Sequence, residues 1–326
     1  MKILITGATG AIGPRVVNAL SEAGYLLRTF SADAGTGDMF PPNIEIVIGD
    51  VTDSVAVESA MKDVAAVIHM AALLHIVNPF LGMKEKYENI NVCGTKTVVE
   101  KATFAGVRRI VLISTIAVYG PGNGQTFDEE SLPNPDNLYA QSKLAAEKIV
   151  LDARNSDGQP IGTVLRLGAV YGSRMKGNYE RLVHALKRHL FIPIGSGLNR
   201  RTLVYDKDVG AAAVLAVSHP DAMGRVFNVT DGTVHTLSEI VEAICLALGR
   251  KPPRFSLPAG AAGVLVNLFE KGCRSVGREP PFTRAILDKY TEDIAVDGSL
   301  IQNVLGFVPC YDLKTGWEET IREMRK

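Results

Sequence analysis

Short apolar runs alternate with amphipathic stretches through the first half of the chain. Lys2 to Thr6, Tyr25 to Phe30, Ile44 to Ile48, Val67 to Met70 and Ile110 to Ser114 are rich in branched apolar residues and read as buried strands. Pro14 to Ala23, Val55 to Met61 and Val92 to Phe104 lie between them and carry helical periodicity. Strand and helix in alternation predict a parallel sheet covered on both faces. Gly120 to Asn137 is crowded with Gly, Pro, Asn and Asp and reads as a loop. Pro135-Asp136-Asn137 then gives a helix start ahead of Tyr139. After a further strand at Thr163 to Leu167, the texture changes. Helical patterns at Tyr179 to His189 and Leu237 to Leu248 mix with short polar strands at Arg201 to Tyr205 and Arg225 to Val229. The expected fold is α/β. A doubly wound parallel sheet spans residues 1–168, and a smaller α/β substrate lobe spans 169–326, with some segments returning to the main sheet.

The turn after the first strand sharpens this to a Rossmann-type sheet. Thr6-Gly7-Ala8-Thr9-Gly10-Ala11-Ile12-Gly13 follows a strand and opens a helix, the context a dinucleotide site requires. Gly7 permits the tight turn, Gly10 admits the pyrophosphate to the backbone, and Gly13 lets helix pack close to strand. The helix N-terminus offers free N–H groups to phosphate. Thr9, Ala11 and Ile12 belong to the same cradle. Asp50-Val51, after the third strand, can meet the adenine. At the end of the second strand Ser31 occupies the ribose-reading position, Asp33 lies two residues later, and no basic residue follows. That favours NAD and leaves NADP open.

Composition removes several other classes. Hydrophobic residues are 46% and charged residues 21%, ordinary for a protein with a core. Lys plus Arg and Asp plus Glu both number 35, so no basic field suggests nucleic acid, and no polybasic block suggests an anionic membrane. Cys93, Cys245, Cys273 and Cys310 are scattered without Cys-x-x-Cys, which fits reduced thiols in a cytoplasm and no metal site. The apolar run Ile3 to Ile5 is too short for a signal peptide. The stretch Ala259 to Phe269, broken by Gly260, Gly263 and Asn267, falls short of the ~20 residues of a membrane span. It reads as a buried or substrate-covering helix, with a membrane-touching helix as the sharper alternative. His184 and His189 lack a metal-ligand pattern and read as structural.

Candidate chemistry centres on Tyr139-Ala140-Gln141-Ser142-Lys143. Residues at i and i+4 share a helix face, so phenol and ammonium can reach one site. A free tyrosine has a pKa of about 10, and a nearby cation favours its phenolate. Such a group can exchange a proton with a substrate hydroxyl or carbonyl.

The glycine loop, Tyr139/Lys143, Ser114-Thr115-Ile116-Ala117-Val118-Tyr119-Gly120, His69-Met70-Ala71-Ala72 and Asn91-Val92-Cys93-Gly94-Thr95 together resemble an extended short-chain dehydrogenase/reductase. More narrowly, the chain resembles the NAD-dependent epimerase/dehydratase family of nucleotide-sugar enzymes over nearly its whole length. The resemblance implies that Thr115 bonds the reacting substrate oxygen, that Tyr139 is the acid/base, and that Lys143 holds the nicotinamide ribose and, helped by the positive charge of oxidised nicotinamide, lowers the Tyr139 pKa. It implies adenine contact for Asp50, cofactor lining by Ala71 and Ala72, and an ordering role for Asn91. Gly172 to Tyr179 and Arg200 to Tyr205 resemble segments that meet a substrate diphosphate, giving Lys176, Asn178 and Arg201 as candidates. His75 is a candidate sugar contact. The family analogy also implies a homodimer.

Related 4,6-dehydratases carry an Asp-Glu pair after the catalytic Thr, where this chain has Ile116 and Ala117. Neither can move a proton, which ranks dehydration below the other outcomes. The expected activity is a UDP-hexose or UDP-N-acetylhexosamine 4-epimerase. A 4-keto-sugar reductase, a 3-beta-hydroxysteroid-like dehydrogenase for an apolar or lipid-linked substrate, and a non-catalytic NAD(P)-binding protein remain alternatives.

Overall fold

Strand β1 (Lys2–Thr6) shows why the sheet needs two covers. Its successive side chains point to opposite faces. Ile3 and Ile5 enter one apolar cluster with Val16, Val17 and Leu20 of helix α1 (Gly13–Glu22), while Leu4 enters another on the far side. A computed structural model describes residues 1–33, 35, 39–74, 82–253, 255–275 and 290–325.

In chain order the elements continue with β2 (Leu26–Ser31), β3 (Glu45–Ile48), α2 (Ser54–Ala60), β4 (Ala66–His69) and α3 (Met83–Tyr87). A π-helical turn (Glu88–Cys93) joins α3 to α4 (Gly94–Phe104). Then come β5 (Arg109–Thr115), β6 (Thr126–Phe127), α5 (Leu138–Leu151), β7 (Gly162–Leu167), β8 (Ala169–Tyr171) and α6 (Asn178–Lys187). The rest comprises β9 (Arg200–Tyr205), α7 (Asp206–Ser218), β10 (Val226–Val229), β11 (Val234–Thr236), α8 (Leu237–Ala247) and α9 (Ala259–Ser275). Strand β12 (Ala295–Val296) and helices α10 (Ser299–Leu305) and α11 (Leu313–Glu323) follow.

The main sheet has seven strands in the order β10-β7-β5-β4-β1-β2-β3, and every pairing is parallel. Helices α1 and α7 cover one face, α7 through Val209, Ala212, Ala213 and Ala216. Helices α2, α4 and α5 cover the other through Val57, Val98, Ala102, Ala146 and Val150. This is a Rossmann-like sheet, and its strand order reverses between β1 and β4. Ligands of such sheets sit outside the strand C-termini at that switch point. There Thr6 of β1 is paired directly with His69 of β4.

Strand β10 joins the main sheet although it lies late in sequence. The remaining late strands form a small sheet, β11-β9-β8. Its cluster centres on Tyr171, Tyr205 and Trp317 and is closed by α8 and α11. The Tyr171 and Trp317 rings stack at 4.7 Å.

Candidate active site

The glycine loop is tight enough that no side chain fits at its key positions. Gly7 has φ of +70°, and a Cβ there would lie 2.6 Å from the Ala71 backbone nitrogen. A Cβ on Gly13 would lie 1.9 Å from the Ala8 carbonyl oxygen. Gly10 donates to the Gly7 carbonyl and Gly13 to the Gly10 carbonyl, a ladder that leads into α1. Ile12 offers that helix no side-chain cap, and no acid stands in its first turn. An N-terminus left so suits an anionic group. Nearby, the buried Ser31 Oγ has no partner among the described residues. A cradle bare of Cβ at Gly7, Gly10 and Gly13, an uncapped helix and an orphan hydroxyl at the ribose position all fit a dinucleotide.

The catalytic candidates come from two neighbouring elements. Thr115 ends β5, and its Oγ1 accepts a hydrogen bond from Ala117 N–H at 3.2 Å, starting the short turn Ile116–Tyr119. Its hydroxyl hydrogen is left to donate elsewhere. Tyr139 and Lys143 lie in α5, which packs against β5 and that turn. The Asn137 side chain caps α5 by accepting from Ala140 N–H at 3.0 Å. The Tyr139 ring sits 6.2 Å from that of Tyr87. Burial pushes the Tyr139 phenol up to about 12, and Tyr87 adds to the rise. Burial brings the Lys143 ammonium down to about 8, against the opposing pull of Glu147. Burial of the phenol sets the direction of this shift.

Hydrogen bonds run without a gap from the glycine loop to α5, and their directions follow from the donors. Thr95 Oγ1 donates to the Asn91 carbonyl at 2.6 Å, so it accepts from His69 Nε2–H at 3.0 Å. His69 Nδ1 then accepts from the Thr6 hydroxyl at 2.6 Å. Thr6 Oγ1 in turn accepts from Met70 and Ala71 N–H, each at 3.3 Å. Burial, reinforced by Lys143, holds the His69 imidazole down at about 3, so it is neutral. Asn91 accepts from Leu73 N–H at 2.7 Å and donates to Leu73 O at 3.1 Å and to Ser142 Oγ at 2.9 Å. Ser142 donates to the Tyr139 carbonyl at 2.8 Å. The π-helical turn that carries Asn91 adds a residue to its helix, a device found often at functional sites.

Beneath Lys143, one turn further along α5, the buried Glu147 takes three contacts from Arg166 of β7, the shortest 2.7 Å, and one from Ser114 Oγ. The Arg166 guanidinium also lies 4.8 Å from the centre of the Tyr119 ring. Tyr119 donates to Asn228 of β10 at 2.9 Å.

The family pattern of NAD dependent epimerases/dehydratases matches residues 3–230, which takes in the glycine loop, Thr115, Tyr139 and Lys143. The chain belongs to this family. A UDP-glucose 4-epimerase of Vibrio cholerae is 29% identical over 328 residues, 98% of this chain and 94% of its own length. A 3 beta-hydroxysteroid dehydrogenase/Delta 5-->4-isomerase of Mycobacterium tuberculosis is 25% identical over 274 residues, 80% of this chain and 73% of its own. Among solved structures, MoeE5 in complex with UDP-glucose and NAD superposes with a TM-score of 0.79 at 26% identity, over 100% of this chain and 99% of that one.

The remaining candidates of this family member are placed less uniformly. Asp50 is exposed, and its Oδ1 accepts from both Thr52 N–H and Thr52 Oγ1 at 2.8 Å. Val51 is buried beneath it, and Ala71 and Ala72 line the space after β4 half-buried. Lys176 and Asn178 are exposed before and at the start of α6. Arg201 is buried, and its guanidinium donates to the Glu292 carbonyl and, at 3.2 Å, to that of Tyr290. Arg200 instead pairs with Asp293 at 2.8 Å. His75 lies outside the described residues. Sequence reasoning missed Ser142, Glu147 and Arg166. Glu147 stands four residues beyond Lys143, a spacing that signals a shared helix face. Arg166 has no such signal.

Proposed function

We propose that the protein is an NAD-linked 4-epimerase of a UDP-hexose or UDP-N-acetylhexosamine. The observation that carries this reading is the retention of Thr115, Tyr139 and Lys143 in a chain that matches a UDP-glucose 4-epimerase over nearly the full length of both. MoeE5, solved with UDP-glucose and NAD, supports the same ligand pair. Gly7, Gly10 and Gly13 would admit the cofactor pyrophosphate, Ser31 the adenine ribose, and Asp50 the adenine. Ser31 and Asp33, with no base beside them, favour NAD over NADP.

When bound, NAD supplies the hydride acceptor and a positive ring whose field favours the Tyr139 phenolate. Tyr139 removes the proton from the sugar C4 hydroxyl, and Thr115 holds that oxygen. Lys143 binds the nicotinamide ribose and stabilises the phenolate charge. Once the keto sugar has turned over, Tyr139 would return the proton to the C4 oxygen. Ile116 is buried and Ala117 is apolar, so neither position can take part in loss of water. Arg201, Asn178 and Lys176 would meet the diphosphate. For Arg201 this requires exchange of a backbone carbonyl for a phosphate oxygen. A homodimer, by family analogy, and a cytoplasmic setting complete the proposal. No helix among the described residues is long and apolar enough to cross a membrane.

The hydroxysteroid dehydrogenase relative keeps an apolar substrate as a second reading. Incubation with UDP-glucose and with UDP-N-acetylglucosamine, without added cofactor, separates the cases. Formation of the galacto epimers is expected. Turnover only of a 4-keto sugar with reduced cofactor would make the protein a reductase. No sugar-nucleotide binding at all would favour the apolar substrate.

A further inference from the structure

Away from the site, fold and charge combine on one face of the outer lobe. The chain from Gly195 to Pro193 pairs with Leu257: Gly195 N–H donates to Leu257 O at 2.9 Å, and Leu257 N–H donates to Pro193 O at 2.8 Å. Helix α9 lies on this pair through Ala262 and Val266, which pack against Ile194 and Leu257. Arg250 reaches back to the Leu186 carbonyl of α6 at 3.2 Å. The end of α6, residues 190–194, residues 250–253 and 255–257 and α9 therefore lie together on one side of the lobe.

That surface is apolar and open. Leu190, Ile192, Phe255, Val264 and Leu265 are between 56% and 86% exposed. Scattered exposed apolar residues need no explanation, but a contiguous group marks an interaction site. The surface is also basic. Among the described side chains of residues 187–198 and 249–275 there are four bases (Lys187, Arg188, Arg250 and Lys251) and one acid, Glu270, in a chain with net charge zero. Lys187, Arg188 and Lys251 are exposed beside the apolar group. The sequence shows no polybasic block because the bases come from segments about sixty residues apart that only the fold brings together.

We infer that this face docks on an anionic lipid bilayer. Apolar side chains among bases are what an interfacial element needs: the apolar group enters the headgroup boundary, and the bases meet anionic headgroups. Helix α9 suits this position. Ala262 and Val266 face the lobe while Val264 and Leu265 face outward. An acidic protein partner would match the charge but not the apolar group. A second copy would match the apolar group but set the bases of one chain against those of the other. The inference is independent of the substrate assigned above.

Vesicle co-sedimentation of the full chain tests it, with phosphatidylglycerol/phosphatidylcholine vesicles beside vesicles of phosphatidylcholine alone. The protein should pellet with the anionic vesicles only, and less so as salt rises. Lys187→Glu combined with Lys251→Glu should weaken binding more than about tenfold. Phe255→Ser combined with Leu265→Ser should weaken it similarly at unchanged melting temperature. Equal recovery with both vesicle types, no recovery with either, or wild-type binding by both double variants overturns the inference. So does light scattering that shows Phe255→Ser with Leu265→Ser converting a dimer to a monomer, because a second copy then covers the face.

Discussion

The switch point of the main sheet and the outer lobe hold their polar groups in opposite ways. At the switch point Thr6, His69, Thr95, Asn91 and Ser142 are buried, and each is fixed by hydrogen bonds whose direction can be assigned. In the lobe, Lys176 and Asn178 are exposed, and Arg201 rests on backbone carbonyls. A proton transfer needs groups held to fractions of an ångström, and a buried network with every group bonded supplies that rigidity. Recognition of a flexible nucleotide sugar can wait for the ligand to complete the contacts. On the proposed function, the common chemistry would sit in the rigid part, and the substrate choice in the part completed by the ligand.

The sharpest way to break this contrast is at the base of the rigid part. Glu147→Ala would strand the buried Arg166 guanidinium, and removal of one partner of a buried pair costs about 3–5 kcal/mol. Urea unfolding reads that loss. A change no larger than at an exposed site would show that the region is not held as described. Next, Asn91→Leu removes the bonds to Leu73 and Ser142 at once. We expect a loss of about 2–3 kcal/mol of stability and a fall in kcat that exceeds any change in KM. A pure KM effect would place Asn91 in substrate binding instead.

His69 sharpens the contrast through pH. Its imidazole is held at about 3 in the fold, against 6.5 ordinarily, so between those values the unfolded chain binds a proton that the folded one does not. Stability is therefore lost as pH falls from about 6.5 towards 3, by an amount of the order of 5 kcal/mol. His69→Gln should lack this slope in unfolding series taken across that range, and parallel slopes would contradict the buried neutral imidazole. The smallest effects belong to the lobe. Lys176→Ala and Asn178→Ala should leave stability within about 0.5 kcal/mol and raise the KM of a nucleotide sugar about tenfold. Steady-state kinetics and thermal melting check both.

How much of this was written in the sequence follows the same division. The strands of the main sheet were legible because branched apolar runs repeat between helical periods. The glycine loop was legible because only glycine fits where a Cβ would strike Ala71 or Ala8. Thr115, Tyr139 and Lys143 could be named from local spacing and family likeness. The Glu147–Arg166 pair was not legible, since its partners come from a helix and a strand joined only by packing. The rise of Tyr139 to about 12 was hidden as well, because spacing reveals the ammonium but not the burial. Arg201 was found as a residue, but the carbonyls of Tyr290 and Glu292 that hold it lie far along the chain. The basic face of the lobe was invisible for the same reason.

Tyr139→Phe tests the account most directly, with NAD binding by calorimetry and UDP-glucose epimerisation by NMR measured on the same preparation. The variant should bind NAD as the wild type does and lose turnover by about a hundredfold to ten-thousandfold. Wild-type turnover by the variant would contradict the assignment of Tyr139 as the group that moves the proton.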